Sequence, residues 1–180
     1  VEDVLARTRD VRAAGGTVVE GPFPAELHDA DGERLGERGH EFGTVTGRKR
    51  RCGWFDAVAT KYAAELNGFN SVALTKLDVL DALDEIKVCI GYEIDGKRID
   101  TFPSVSLGLA KINPIYETLE GWKSDTLGIT NFDDLPENAK TYVEFLSNSI
   151  GVEIGLISTG PERDQTIILG DSVMESWFKN

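Results

Sequence analysis

Four consecutive cations are the first residues of this chain that point to chemistry. Arg48, Lys49, Arg50 and Arg51 stand together in a protein of formal net charge −12. Like charges placed side by side repel one another unless an anion neutralises them. The glycines and threonines just before them let a backbone approach a ligand closely and donate hydrogen bonds to it. Residues 39–56 therefore predict a loop that closes on an anionic small molecule, while a solvated basic turn fits the charge run equally well.

A second stretch joins a strand to a Lys-x-Asp sequence. Residues 71–74 form an apolar run typical of a strand, and Lys76 and Asp78 follow it directly. An open α/β sheet places ligand contacts at the carboxyl ends of its strands. One carboxylate can accept two hydrogen bonds from guanine, whereas adenine would leave that acceptor unpaired at a cost of roughly 1–3 kcal/mol. The pattern suits recognition of guanine. Taken alone, however, it favours a simpler interpretation, in which Asp78 only begins a helix after the strand.

These two stretches are part of a longer series of motifs. The series resembles adenylosuccinate synthetase in content and in order, and the resemblance covers about residues 17–170. Its motifs are residues 21–27 (GPFPAEL), 41–54 (EFGTVTGRKRRCGW), 74–81 (LTKLDVLD), 114–122 (PIYETLEGW) and 157–163 (ISTGPER). The resemblance implies GTP-dependent ligation of L-aspartate to IMP, which gives adenylosuccinate in purine biosynthesis. It also implies Mg²⁺ as a cofactor and a homodimer as the assembly.

The resemblance carries roles onto particular residues. It implies that an aspartate-binding loop closes over the amino acid, and that a second set binds GTP. The implied aspartate loop is Thr44, Val45, Thr46, Gly47, Arg48, Lys49 and Arg50; the implied IMP contacts are Val18 and Arg48; the implied GTP contacts are Arg50, Lys76, Leu77, Asp78, Ser158, Thr159 and Gly160. Val45 stands where the family usually has threonine, and residues 19–20 also depart from the family pattern. Without the resemblance, residues 158–160 fit an ordinary exit from a strand.

Parts of the family's machinery are expected elsewhere. No GxxxxGK phosphate loop occurs in the sequence. By the resemblance, this loop and the catalytic aspartate and histidine lie N-terminal to the part seen here, and the Mg²⁺ ligands lie outside this chain. We therefore expect no catalytic residue and no metal ligand in this chain, and no turnover by this chain alone. Two alternatives remain, a standalone guanine-nucleotide-binding module and a nucleic-acid-binding domain built on the basic cluster.

Composition narrows the function classes. The chain has 31 Asp and Glu against 19 Lys and Arg, which argues against nucleic acid as a partner. No stretch approaches the roughly 20 apolar residues that a membrane span needs. Cys52 and Cys89 lack metal-ligand spacing and read as free thiols in a reducing compartment. The sequence therefore predicts a cytoplasmic protein. By the resemblance, residues 17–180 are the C-terminal part of an adenylosuccinate synthetase-like domain, and residues 1–16 are unassigned.

The fold class predicted from the periodicity is α/β. We expect a mixed β-sheet flanked by helices. The resemblance implies that this is the C-terminal portion of a larger, single-domain, P-loop-like GTP-dependent ligase. Helices are predicted from the apolar stripe between Phe55 and Leu66, ended by Gly68, and from the stripe between Pro136 and Gly151. Strands are predicted at residues 17–19, 71–74, 86–94, 97–102, 152–157 and 165–169, with a hairpin turn at 95–96, a turn at 29–32 and a loop-rich region from 103 to 122.

Overall fold

The computed structural model describes residues 23–103 and 112–178. Val18 and the strand predicted at residues 17–19 lie outside these ranges. In the described part, the helices are α1 (Ala30–Arg38), α2 (Ala57–Asn67), α3 (Glu137–Ile150) and α4 (Val173–Phe178), with 3₁₀ turns at Leu77–Leu80 and Phe132–Asp134. The strands are β1 (Phe55–Asp56), β2 (Ser71–Leu74), β3 (Glu85–Ile94), β4 (Lys97–Ile99), β5 (Asn113–Glu120), β6 (Glu153–Ser158) and β7 (Thr166–Ile168).

The strands form two mixed sheets, which confirms the predicted α/β class. In the first sheet, β3 pairs antiparallel with β5 along most of its length, and with β1 (parallel) and β4 (antiparallel) over shorter stretches. Asp95 and Gly96 join β3 to β4, and both have a positive φ, as the predicted tight hairpin turn requires. In the second sheet, β2 runs parallel to β6, and β7 pairs antiparallel with β6.

Both predicted long helices end at glycine. Gly68 (φ 62°) and Gly151 (φ 69°) take the left-handed conformation that stops a helix, and each donates its backbone N–H to the last turn. Helix α2 packs against α3 and β3, while α3 packs against β5 and β6. The fully buried side chains between them are mostly aliphatic and include Ile86, Val88, Tyr92, Leu146 and Ile157. This core holds the carboxyl ends of β2 and β6 in place.

Three details of the predicted elements are wrong. The turn expected at residues 29–32 is the start of α1, because the Asp29 side chain caps the helix by accepting from two backbone N–H groups. The loop-rich region contains β5, whose Pro114 lies near the strand end where a missing N–H does little harm. The buried face of α2 is Ala57, Val58 and Ala64, while Leu66 of the predicted stripe is 67% exposed.

Among the described residues, no helix is both long and apolar enough to cross a membrane.

Candidate nucleotide and aspartate site

Two strand ends meet at one edge of the second sheet. Because β2 and β6 are parallel neighbours, with Leu74 opposite Ile157, the segments that follow them emerge side by side. The backbone N–H of Lys76 donates to Ser158 Oγ at 2.9 Å and ties the two segments together. Two residues to which the resemblance assigns GTP contacts, Lys76 and Ser158, are thus in direct contact. We call residues 75–78 and 158–160 the strand-end loops.

Lys76 occupies an unusual backbone conformation in the first strand-end loop. Its φ is 63°, in the left-handed region that residues other than glycine rarely enter. The 3₁₀ turn Leu77–Leu80 begins immediately after it. Local strain of this kind persists where surrounding contacts fix the residue, and here Ser158 fixes its N–H. The sharp turn brings the half-buried Asp78 next to the carboxyl end of β2.

Asp78 carries an acceptor with no partner in the described part of the chain. Its Oδ1 is buried and receives no hydrogen bond. Burial raises the pKa of this carboxyl above its usual value, with repulsion from Asp81 adding to the rise and attraction to Arg38 and Lys76 opposing it. Arg38 donates to the backbone carbonyl of Asp78, at 3.1 Å. The carboxylate therefore has spare capacity to accept a hydrogen bond from a ligand.

Asp81, three residues further on, is fully satisfied by the chain itself. Its Oδ1 accepts from Trp122 Nε1 (2.6 Å) and from Thr126 Oγ1 (2.8 Å), and its Oδ2 accepts from the Thr126 N–H (2.9 Å). Only 7% of Asp81 is exposed. This buried network fixes the segment after β5 against the 3₁₀ turn, so Asp81 is a structural residue.

The remaining residues of the strand-end loops offer backbone rather than side chains. Leu77 and Thr159 are buried, and Thr159 Oγ1 donates to the Ile129 carbonyl at 2.8 Å. A Cβ on Gly160 would collide with the Gln165 side chain. A contact from Leu77 to a ligand would therefore come from its backbone. The N–H of Thr159 already donates to the Gln165 carbonyl and its carbonyl accepts from the Gly128 N–H, so Thr159 shapes the loop. Ser158 is the residue of its loop with a half-buried hydroxyl.

The basic stretch forms a hairpin, which we call the basic hairpin (residues 41–50). Phe42 and Lys49 face each other across its base, and the Arg50 N–H donates to the Glu41 carbonyl at 2.8 Å. Gly47, at φ 63°, closes the tip through a 2.7 Å bond from its N–H to the Gly43 carbonyl. The tip residues Thr44, Val45, Thr46 and Gly47, together with Arg48 and Lys49, are exposed, with Val45 at 97%.

Carboxylates of the chain pair with two of the four clustered cations. Arg50 donates to Glu41 at 2.9 Å, and Arg51 pairs with Glu26 while lying over the Phe23 ring. The charge pattern predicted a ligand that neutralises the cluster and did not point to these carboxylates. Glu41 stands only seven residues before Arg48, and that proximity was the available signal.

Glu41 also connects the basic hairpin to the strand-end loops. Lys76 Nζ donates to Glu41 Oε1, and to the Gly39 carbonyl at 2.8 Å, while Arg50 occupies Glu41 Oε2. Burial opposes the charge on Glu41, but the hydrogen bonds and charges of Lys76 and Arg50 outweigh it and lower the pKa of this carboxyl. One carboxylate thus joins the two regions to which the resemblance assigned nucleotide and aspartate binding.

A cleft of about 350 Å³ lies beside the basic hairpin. Five carboxylates and three cations contribute to its walls; the carboxylates are Glu26, Asp29, Glu33, Glu37 and Glu41. Such surroundings disfavour a dicarboxylate ligand, so this cleft does not suit aspartate. No group of three or more His, Cys, Asp or Glu side chains in residues 23–103 and 112–178 could hold a metal ion.

The chain is similar to known proteins in sequence and in fold. The family model described as adenylosuccinate synthetase matches residues 9–167. The structure of fully ligated adenylosuccinate synthetase from Plasmodium falciparum superposes with a TM-score of 0.79 at 38% sequence identity, over 84% of this chain. The chain spans 37% of the length of that protein. On these findings, the chain belongs to the adenylosuccinate synthetase family.

Proposed function

We propose that this chain supplies the guanine-recognition and aspartate-recognition loops of an adenylosuccinate synthetase. The enzyme would ligate L-aspartate to IMP with GTP as co-substrate and would act in purine biosynthesis. Family membership supports the reaction. Two polar loops lie side by side at the end of a sheet, and this placement supports the assignment of different ligands to different residues. The strand-end loops would bind the base of GTP, and the basic hairpin would bind aspartate.

The unpartnered oxygen of Asp78 carries this proposal. A buried acceptor without a donor is destabilising, and native proteins keep few of them. Guanine supplies the missing donors, because N1–H and the N2 amine point in the same direction and match a carboxylate. Ser158 Oγ already accepts from the Lys76 N–H, so its own hydrogen is available to donate. The stem of Lys76 would lie along the face of the base.

The basic hairpin supports the second half of the proposal. Arg48 would bind a carboxylate of aspartate and approach IMP together with Val18, while Arg50 would reach toward GTP. A guanidinium donates two parallel hydrogen bonds to a carboxylate, which suits a dicarboxylate substrate. Because the tip of the hairpin is exposed and closed by Gly47, it can change conformation over a bound ligand.

The remaining proposals rest on the family and on the composition of the chain. We propose Mg²⁺ as a cofactor, a homodimer as the assembly, the cytoplasm as the location, and neither nucleic acid nor membrane as a partner. The described residues do not fit a magnesium site, since no cluster of ligands is present among them. No step assigned to these loops involves the metal.

Isothermal titration calorimetry of the 180-residue chain with GDP and ADP tests the guanine site. We expect GDP to bind at least tenfold more tightly than ADP, a difference of about 1.4 kcal/mol. Asp78→Asn replaces one acceptor with a donor, so the preference should move from GDP to xanthosine diphosphate, whose C2 carries a carbonyl oxygen.

The matched control is Asp84→Asn. Asp84 lies six residues after Asp78, is exposed and pairs with Lys123. This variant should keep the preference for GDP. Equal binding of GDP and ADP by the native chain would refute the guanine site, as would an Asp78→Asn variant that still prefers GDP to the xanthine nucleotide.

A further inference from the structure

We propose that Glu41 is a positioning residue for nucleotide specificity: it holds the Lys76 ammonium away from Asp78, so that Asp78 stays free to bind the edge of the base. This inference rests on the proposed function of Asp78. It assigns to Glu41 a role in the guanine site, although Glu41 lies at the base of the basic hairpin.

The need for such a residue follows from the positions of Lys76 and Asp78. They are two residues apart, and a flexible ammonium close to an unpartnered carboxylate oxygen is attracted to it. If the two groups paired, Lys76 would compete with guanine for the same acceptor. An isolated Lys-x-Asp sequence would therefore tend to block its own recognition carboxylate.

The structure gives the ammonium two other acceptors. Lys76 Nζ donates to Glu41 Oε1 and to the Gly39 carbonyl. Asp78 Oδ1 is left without a donor in the described residues. Among the described residues, Arg38 is the other cation near Asp78, and it donates to the backbone carbonyl. Both cations near Asp78 are thus engaged by acceptors other than its buried oxygen.

Glu41 is well placed to hold Lys76. Its side chain is 16% exposed, and Arg50 fixes its other oxygen at 2.9 Å. Its backbone N–H donates to the Gly36 carbonyl at 2.8 Å, and its carbonyl accepts from the Arg50 N–H. The carboxylate is therefore oriented before Lys76 reaches it, and little side-chain freedom remains to be lost when the pair forms.

The first test needs no nucleotide. Carboxyl NMR titration of Asp78 should show that Glu41→Gln lowers the pKa of Asp78 by about one unit or more, because the released ammonium of Lys76 turns to it. In the double variant Glu41→Gln/Lys76→Met no ammonium is present, and the pKa of Asp78 should stay at or above its native value. An unchanged pKa in Glu41→Gln would overturn the proposal.

The matched control is Glu26→Gln. Glu26 is equally shielded (15% exposed) and also pairs with an arginine of the basic stretch, but it does not contact Lys76. This variant removes the same charge and should leave the Asp78 pKa unchanged. A drop in the Asp78 pKa as large as that in Glu41→Gln would show a general charge effect and refute the positioning role.

Nucleotide binding provides the second test. Glu41→Gln should bind GDP about tenfold more weakly and lose most of its preference over ADP, whereas adding Lys76→Met should restore the preference. If Glu41→Gln keeps the native preference, the positioning role is wrong while the guanine site stands. If the native chain shows no preference for GDP, the guanine site is wrong, and the NMR titration still decides whether Glu41 restrains Lys76.

Discussion

The strand-end loops and the basic hairpin hold their polar groups in opposite ways. The strand-end loops follow two paired strands, are linked by the bond from Lys76 to Ser158, and rest on the buried Asp81 network. The basic hairpin is fixed at its base by Glu41 but exposes its whole tip. For the two proposed ligands, this difference would give a preformed surface at the strand-end loops and a movable one at the basic hairpin. Preformed sites bind without the loss of conformational entropy that an ordering loop incurs.

The largest effect is expected for Asp81→Ala, which tests whether Asp81 keeps the strand-end loops rigid. Asp81→Ala leaves Trp122 Nε1 and two donors of Thr126 buried without an acceptor, so the free energy of unfolding should fall by about 3–5 kcal/mol. Asp78→Ala removes a buried oxygen that has no partner and should change stability by less than about 1 kcal/mol. Urea denaturation measures both. Equal losses in the two variants would contradict the distinction between a structural and a ligand-binding carboxylate.

The next effect compares two residues with the same φ of 63°, Gly47 in the basic hairpin and Lys76 in the strand-end loop. Gly47→Ala meets no atom within 4 Å, so its cost is the left-handed conformation alone, about 1–2 kcal/mol. At position 76, the Lys76→Gly variant should have a higher free energy of unfolding than Lys76→Ala, by a similar amount. Thermal unfolding of the three variants measures this. If Lys76→Gly and Lys76→Ala are equally stable, the loop relaxes and is not rigid.

Much of the fold could be predicted because backbone chemistry marks where elements end. Gly68 and Gly151 stop helices, and Asp95-Gly96 closes a hairpin, since glycine and aspartate tolerate a positive φ. Strand β5 was missed because Pro114, which has no N–H, weakens a strand pattern. The strand forms nevertheless because it pairs with the long strand β3. Helix α1 was missed because a capping aspartate such as Asp29 also begins turns.

The site was predictable to a smaller extent. The resemblance assigned residues 76–78 and 158–160 to one ligand, and the parallel pairing of β2 with β6 places them side by side. The contact between Glu41 and Lys76 spans 35 positions and depends on the turn of the chain at Lys76, which no local pattern specifies. The pairing of Arg51 with Glu26 is long-range in the same way. Charge patterns located the basic hairpin, but tertiary structure decided which of its cations remain exposed.

A smaller effect is the pH dependence of stability, which should have opposite signs in the two regions. The pKa of Asp78 is raised above 3.8 by burial, so its contribution to stability is lost as pH rises through the folded-state pKa. The pKa of Glu41 is lowered below 4.5, so its contribution is present above that value and is lost as pH falls through the folded-state pKa. Urea denaturation between pH 3 and 7 should therefore show opposite trends in the free energy of unfolding relative to the native chain. This difference should rise with pH for Asp78→Asn and fall with pH for Glu41→Gln. Slopes of the same sign in both variants would contradict the assignments.

The smallest effect on stability is expected at the tip of the basic hairpin. Val45→Thr restores the threonine that is usual in the family, and Val45 is 97% exposed, so the free energy of unfolding should change by less than about 0.5 kcal/mol. The same substitution at the fully buried Val88 is the control and should cost about 1–3 kcal/mol, because its hydroxyl would lack a partner. If the tip closes over aspartate, the hydroxyl of Val45→Thr gains a hydrogen bond worth about 0.5–1.5 kcal/mol, so calorimetry should show aspartate binding two- to tenfold more tightly. Unchanged aspartate affinity together with unchanged stability would mean that the tip does not reach the amino acid, and the contrast between a preformed and a closing surface would then depend on Arg48 alone.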